Sequence, residues 1–114
     1  LFTSIIPNLI VPGVNTAIQN TSAKLIYIVN VMTKYGETQN FQCSDFVRNL
    51  ESFMGRTLDA VIYNNSRPDQ ALCDLYAIQK SEFVIIRAAA ASRLCFLRAS
   101  TPILERQSWT FILY

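Results

Sequence analysis

The chain has 114 residues, of which 51% are apolar, and it carries a formal net charge of +2. This length suits one small domain, and so small a charge argues against nucleic acid or an anionic membrane surface as a partner. Histidine is absent, which excludes His-based acid/base catalysis and removes the commonest zinc ligand. Three widely spaced cysteines without a C-x-x-C pair predict free thiols, so we expect a reducing, cytoplasmic environment.

The N-terminal segment predicts a helix, a kink and a second helix. Residues 3–10 place apolar side chains at helical spacing, with Ser4 available as a cap and Pro7 tolerated in the first turn. Pro12 disfavours helical backbone at the residue before it, and apolar residues at helical spacing resume from Val14. No apolar run here or elsewhere approaches the roughly 18 residues of a membrane helix.

Three apolar runs rich in β-branched residues predict strands over Lys24–Asn30, Leu58–Tyr63 and Glu82–Ile86. The continuous apolar middle of the first run suits a strand covered on both faces. The first intervening helix is predicted to begin at Cys43 or Ser44 and to end before Gly55. Its expected core stripe comprises Phe46, Val47, Leu50, Phe53 and Met54.

A second intervening helix is predicted from Pro68, as the first helical residue, to about Lys80. This order predicts an α/β fold with βαβ units and a parallel sheet. After residue 86 the charge balance changes, because residues 87–114 carry four Arg against Glu105 alone. We therefore expect a partial α/β domain over 1–86 and a divergent basic and apolar tail over 87–114. In that tail, 88–98 could form a helix and 109–114 a strand.

Polar loops follow the first two predicted strands, beginning with Asn30 and with the pair Asn64 and Asn65. Open parallel sheets bind their ligands where the carboxyl ends of the strands meet at one edge. The three amides could therefore fix the edge of a base or a sugar. Turn initiation explains an asparagine at such positions equally well.

The loop Asn30–Thr38 and the start of the first helix offer further candidates. Gly36 could adopt positive φ or let the backbone approach a phosphate, or it could be an ordinary turn glycine. Glu37 could accept from sugar hydroxyls, although a lone loop carboxylate is more often only solvated. Hydroxyls of the loop and of the helix start could bind phosphate or could simply cap their own backbone; they belong to Thr3, Ser4, Thr33 and Thr38.

The segments Leu1-Phe-Thr-Ser-Ile-Ile-Pro-Asn-Leu-Ile-Val11 and Asn30-Val-Met-Thr-Lys-Tyr-Gly-Glu-Thr38 resemble two motifs of the CofD-like family, in its gluconeogenesis-factor (YvcK-type) branch. The resemblance covers roughly residues 1–84, and no family pattern is visible beyond Val84. It implies a partial Rossmann-like, CofD-type parallel sheet. Tyr35 departs from the family, in which Pro or Gln is frequent at this place.

The resemblance also implies what the protein does. This branch contains cytoplasmic regulators of carbon metabolism and cell shape that bind UDP-sugars, without catalytic or metal-binding residues of their own. Carried over by position, the nucleotide-sugar site would contain Thr3, Ser4, Asn30, Thr33, Gly36, Glu37, Thr38, Asn64 and Asn65. The family's other branch implies a 2-phospho-L-lactate transferase of deazaflavin synthesis that uses a divalent metal such as Mg²⁺.

The resemblance leads us to expect a fragment of a longer protein. In the family, the glycine-rich loops that bind phosphates precede the segment that matches Leu1–Val11. The altered tail is consistent with a truncation or a shifted reading frame. A third interpretation is that the polypeptide neither folds nor binds a ligand unaided, and homo-oligomer formation is left open.

Overall fold

The computed structural model describes residues 1–64, 66–86 and the backbone of 95–99. Helices and strands follow one another as α1 Ile6–Leu9, α2 Val14–Asn20, β1 Ile26–Ile28, α3 Cys43–Met54, β2 Ala60–Asn64, α4 Gln70–Ile78 and β3 Cys95–Ala99. Within these ranges, no helix is both long enough and apolar enough to cross a lipid bilayer. The predicted order of elements is confirmed through α4.

The three strands form one parallel sheet in the order β1-β2-β3. Ile28 of β1 lies opposite Ile62 of β2, and Asn64 of β2 lies opposite Ala99 of β3. Helices connect the parallel strands, as the alternation of apolar periods in the sequence predicted. This architecture is consistent with part of a Rossmann-like fold.

The prediction of a third strand over Glu82–Ile86 is wrong. Phe83 forms only an isolated antiparallel bridge with Met32, and the Val84 N–H donates to the Val31 carbonyl at 2.9 Å. The hydrogen-bonding groups of this segment thus serve the loop after β1 instead of the sheet. The third strand of the sheet is β3, which overlaps the range 88–98 where the sequence allowed a helix. Residues 88–94 and 109–114, the rest of the two elements suggested in the tail, lie outside the described ranges.

The core forms where α1 and α3 cover one face of the sheet. Phe46 of α3 and Val61 of β2 are both fully buried, at 0% exposure. The predicted stripe on α3 is confirmed with one exception, because Phe53 is 38% exposed. The buried cluster comprises Leu1, Ile6, Leu9, Leu25, Tyr27, Val29, Cys43, Phe46, Val47, Leu50, Met54, Leu58, Val61 and Val84.

The two faces of β1 differ sharply. Tyr27 is only 2% exposed, whereas its neighbours Ile26 and Ile28 are 48% and 47% exposed. Successive side chains of a strand point to opposite faces, so Tyr27 enters the core and the two isoleucines lie on the other face. The expectation that β1 is covered on both faces is therefore wrong for the part of the chain that the structure describes.

Local side-chain chemistry explains where α3 begins and ends. Gln42 precedes the helix, and its backbone N–H donates to Asp45 Oδ2 at 2.8 Å. A carboxylate in the first turn also interacts favourably with the helix dipole. Gly55 follows the last turn with φ of 65°, a left-handed conformation that suits glycine. The predicted start and stop of this helix are confirmed.

The starts of α1 and α4 differ from their predictions. The residue before α1 is Ile5, which makes no side-chain capping bond, so Ser4 does not cap the helix. Pro7 does lie in the first turn, as predicted. Before α4, Asp69 is the cap and its Oδ1 accepts from the Leu72 N–H at 2.8 Å. Pro68 therefore precedes the cap instead of opening the helix.

The ends of α2 and α3 are tied together by side chains. From α2, Asn15 Nδ2 donates to the Phe53 carbonyl at 2.7 Å, and Gln19 Nε2 donates to the Met54 carbonyl at 2.8 Å. In return, the Arg56 guanidinium after α3 donates to carbonyls at and after the end of α2. These are the carbonyls of Ile18, Thr21 and Ala23, at 2.8, 2.6 and 3.1 Å. Carbonyls that lack helical partners are thus satisfied on both sides.

Candidate functional site

The first two strands bring two predicted site residues to one edge of the sheet. Asn64 is the last residue of β2, and Asn30 lies two residues beyond the end of β1. Both line a small open pocket, together with Val29, Val31, Tyr63, Val84 and Ile86. The space that these residues enclose is about 10 Å³, which is about the room of one water molecule. The described residues therefore form only an edge of a ligand site.

The amide of Asn30 is oriented by the core. Its Oδ1 accepts a hydrogen bond from the Tyr27 hydroxyl at 3.3 Å, while Asn30 itself is exposed. Burial raises the pKa of the Tyr27 phenol well above its usual value, so the hydroxyl keeps its proton and remains a donor. A buried phenol thus holds an exposed amide at the mouth of the pocket.

Asn64 has a local role in addition to its place in the pocket. Its Oδ1 accepts from the Ser66 N–H at 2.8 Å, which is the turn-initiating bond that the sequence offered as an alternative. The next amide, Asn65, lies outside the described residues. Tyr63, the last residue of the predicted second strand, is half-buried and lines the pocket.

The β1–α3 loop (residues 29–42) turns sharply at Gly36, whose φ is 76°. A Cβ added there would meet nothing within 4 Å, so the requirement at this position is one of backbone conformation and not of crowding. The turn is closed by backbone bonds from Glu37 and Thr38 to the Lys34 carbonyl, at 3.1 and 2.9 Å. Positive φ at Gly36 is confirmed, and its contact with a phosphate stays a prediction.

Glu37 joins the two sequence motifs in space. The Thr3 hydroxyl donates to Glu37 Oε2 at 3.3 Å, and Lys34 Nζ forms an ion pair with Glu37 Oε1. The hydrogen bond from Lys34 is the main reason why the pKa of Glu37 is lowered. Ser4 is exposed beside Thr3, and its carbonyl accepts from Asn8 Nδ2 at 2.6 Å. The start of the chain and the loop therefore form one polar surface.

Thr33 and Thr38 are buried, at 4% and 2% exposure. The Thr38 hydroxyl accepts from the Lys34 N–H at 2.9 Å. The Thr33 hydroxyl accepts from the Glu82 N–H at 2.8 Å, and the Thr33 N–H donates to the Glu82 carbonyl at 2.7 Å. Both hydroxyls thus satisfy backbone groups in and beside the loop, the role that the sequence offered as the alternative to phosphate binding.

Two groups near the site were missed in the sequence. Val84 and Ile86 form a wall of the pocket, although their segment was expected in the sheet. Lys34 pairs with Glu37, although nothing marked it as part of the loop's polar cluster. The local sequence around these residues does not indicate either role, because both roles depend on contacts that only the fold creates.

The transferase interpretation implies a divalent metal, for which Asp and Glu oxygens are the preferred ligands. Among residues 1–64 and 66–86, no three Cys, Asp or Glu side chains are grouped as a metal site would require. Glu37 is the carboxylate of the candidate surface, and it is already paired with Lys34 and Thr3. Since Mg²⁺ commonly takes one or two protein carboxylates together with substrate phosphates and waters, Glu37 is the carboxylate that the described part of this surface offers to such an ion.

Comparisons with known proteins agree with the family resemblance seen in the sequence. The family model described as "2-phospho-L-lactate transferase CofD" matches residues 1–101. A "Putative gluconeogenesis factor" of Thermotoga maritima is 41% identical over 88 residues, which are 77% of this chain and 28% of that protein. A protein of the same description from Streptococcus pyogenes serotype M3 is 46% identical over 72 residues, which are 62% of this chain and 22% of that protein.

A solved structure, a member of the UPF0052 family from Bacillus halodurans, superposes with a TM-score of 0.81 at 30% identity. The superposition covers 87% of this chain and 33% of that one. The chain thus spans about a quarter of the curated relatives and a third of the solved neighbour. The family match also continues to residue 101, beyond Val84, where the motifs had shown no resemblance. The chain belongs to the CofD family.

Proposed function

We propose that the carboxyl edge of β1 and β2 is part of a UDP-sugar site in a cytoplasmic regulator of carbon metabolism and cell shape. The observation that carries this proposal is the meeting of Asn30 and Asn64 in one pocket. That edge is where parallel sheets bind nucleotides. The name of the curated relatives, which refers to gluconeogenesis, supports a regulatory role in carbon metabolism.

The chemistry of this edge suits a polyhydroxylated ligand. Amides offer both a donor and an acceptor, so Asn30 and Asn64 can each bind a sugar hydroxyl or the edge of a uracil ring. Gly36 leaves open space above the backbone of the turn, where a phosphate oxygen could approach. Such contacts bind and orient a ligand without a proton transfer, which suits a sensor.

Ligand-dependent stability tests this proposal on the full-length protein. UDP-N-acetylglucosamine should raise the midpoint of thermal unfolding, because a ligand that binds only the folded state stabilises it by about 2.7 kcal/mol at a hundred times its Kd. Asn30→Ala should reduce that rise. Asn49→Ala is the matched control, since its amide donates to the Asp45 carbonyl within α3 at 2.8 Å. Absence of any shift in the wild-type protein would reject the proposal.

A second function is favoured by the description of the matching family model, 2-phospho-L-lactate transferase. In that case the same edge would bind a phospholactyl donor and a deazaflavin acceptor, and the reaction would require a divalent metal. The full-length protein, supplied with both substrates and Mg²⁺, would then form the phospholactylated deazaflavin. Product formation would favour the transferase, whereas stabilisation by the UDP-sugar without product would favour the sensor.

A further inference from the structure

One segment is bound along the β1–α3 loop by backbone and side-chain hydrogen bonds. We call this segment, residues 81–86, the strap. Two of its residues bond the loop, since the Thr33 N–H donates to the Glu82 carbonyl at 2.7 Å and the Val84 N–H donates to the Val31 carbonyl at 2.9 Å. A third bond runs from the Cys43 N–H, at the start of α3, to the Ile85 carbonyl at 3.3 Å. The strap is therefore bonded to the start of the loop and to the first residue of the helix that follows it.

Thr33 contributes a side chain to this contact. Its hydroxyl accepts from the Glu82 N–H at 2.8 Å, which completes a two-point attachment between Thr33 and Glu82. The residue is 4% exposed, so a bound ligand has little access to it. Its hydroxyl is instead occupied by the strap, through the bond from the Glu82 N–H.

The strap also forms a wall of the candidate pocket. Val84 and Ile86 line it together with Asn30 and Asn64. Val84 has its own bond to the Val31 carbonyl and lies two residues from Glu82, so two neighbouring attachments hold the wall beside the loop. One of these attachments, at Thr33, is made by a residue that does not line the pocket.

From these contacts we infer that Thr33 is a positioning residue, which sets the distance between the strap and the loop and so shapes the pocket for its ligand. The inference rests on the proposed function, because the ligand is the UDP-sugar of that proposal. It assigns Thr33 a role at the site without a contact to the ligand. Ligand binding and the attachment of the strap are then coupled, and each stabilises the other.

Calorimetric titration of the full-length protein with UDP-N-acetylglucosamine tests the inference. Thr33→Val keeps the shape of the side chain and removes the hydroxyl, so we expect affinity to fall roughly tenfold, the equivalent of about 1.4 kcal/mol. Thr33→Ser restores the hydroxyl and should return the affinity to near the wild-type value. Thr21→Val is the matched control, because its hydroxyl accepts from the Ala23 N–H at 3.1 Å, after α2 and away from the pocket.

Amide hydrogen exchange supplies a readout that needs no variant. In the wild-type protein, UDP-N-acetylglucosamine should slow exchange at the Glu82 and Val84 amides, because it stabilises the attached strap. Unchanged exchange at both amides on binding would overturn the inference even if Thr33→Val did not fold. So would wild-type affinity in folded Thr33→Val, or an equal loss in Thr33→Val and Thr33→Ser. A wild-type protein that bound no UDP-N-acetylglucosamine would instead reject the proposed function, and the inference with it.

Discussion

Gly55 offers a test of how α3 ends. Its φ of 65° strains any residue with a Cβ by about 1–2 kcal/mol. An added Cβ would also lie 2.5 Å from Gln19 Nε2, the nitrogen that donates to the Met54 carbonyl at 2.8 Å. Gln19 must then move, and a hydrogen bond worth about 0.5–1.5 kcal/mol is lost. Together these terms predict that Gly55→Ala lowers the free energy of unfolding by about 1.5–3.5 kcal/mol.

Gly36→Ala is the matched control for this variant. Gly36 has a similar φ of 76°, but an added Cβ would meet nothing within 4 Å. Its substitution should therefore cost only the conformational strain of about 1–2 kcal/mol. Urea denaturation of the full-length protein measures both losses, as a lower midpoint at an unchanged dependence on urea.

A double variant separates the two terms at Gly55. With Gln19→Ala already in place, the clash is absent and the Met54 carbonyl has already lost its partner. Gly55→Ala should then cost no more than Gly36→Ala does, which gives a coupling energy between positions 19 and 55. Equal losses in the two single glycine variants, or a full loss at Gly55 in the Gln19→Ala background, would refute this reasoning.

Three further predictions concern stability and are measured by urea denaturation. Arg56→Ala removes three bonds to carbonyls and should cost about 2–3 kcal/mol; a loss below about 0.5 kcal/mol would show that water replaces them. Phe46→Ala, at a fully buried site, should cost about 3–5 kcal/mol, whereas Ile78→Ala, at 79% exposure, should change stability by less than about 0.5 kcal/mol; similar effects at the two sites would contradict the described core. Burial raises the pKa of the Cys43 thiol to about 11, so the unfolded state loses its proton first and stability should fall as the pH rises from about 9 to about 11. Cys43→Ala should make that decline shallower, and an unchanged decline would contradict the assignment.

Local signals explain which parts of the fold could be predicted. The apolar period from Phe46 to Met54, the carboxylate of Asp45 and the glycine at position 55 all act within one helix, so their meaning can be read along the chain. The strap and β3 could not be distinguished in this way. An apolar run such as Glu82–Ile86 satisfies the same pattern as a strand, and only its partners decide whether it joins a sheet or a loop.

The candidate site shows a similar division. That Asn30 and Asn64 meet follows from parallel pairing of β1 and β2, and the sequence predicted it from the order of the elements. The burial of Thr33 could not be predicted, because a threonine in a polar loop is expected to be exposed unless its hydrogen-bond partner is known. That partner is Glu82, 49 positions along the chain. The ligand contacts of all these residues stay predictions.

The exchange of side-chain bonds between the ends of α2 and α3 has a consequence for how the molecule opens. α2 has seven residues and none of them is buried, and so short a helix is marginal alone in water. Side-chain hydrogen bonds of Asn15, Gln19 and Arg56 to and from the end of α3 therefore stabilise this helix. Since each helix end holds the other, the amides of α2 and of the last turn of α3 should exchange with solvent in a single cooperative event. This corner of the protein unfolds as one unit or stays closed.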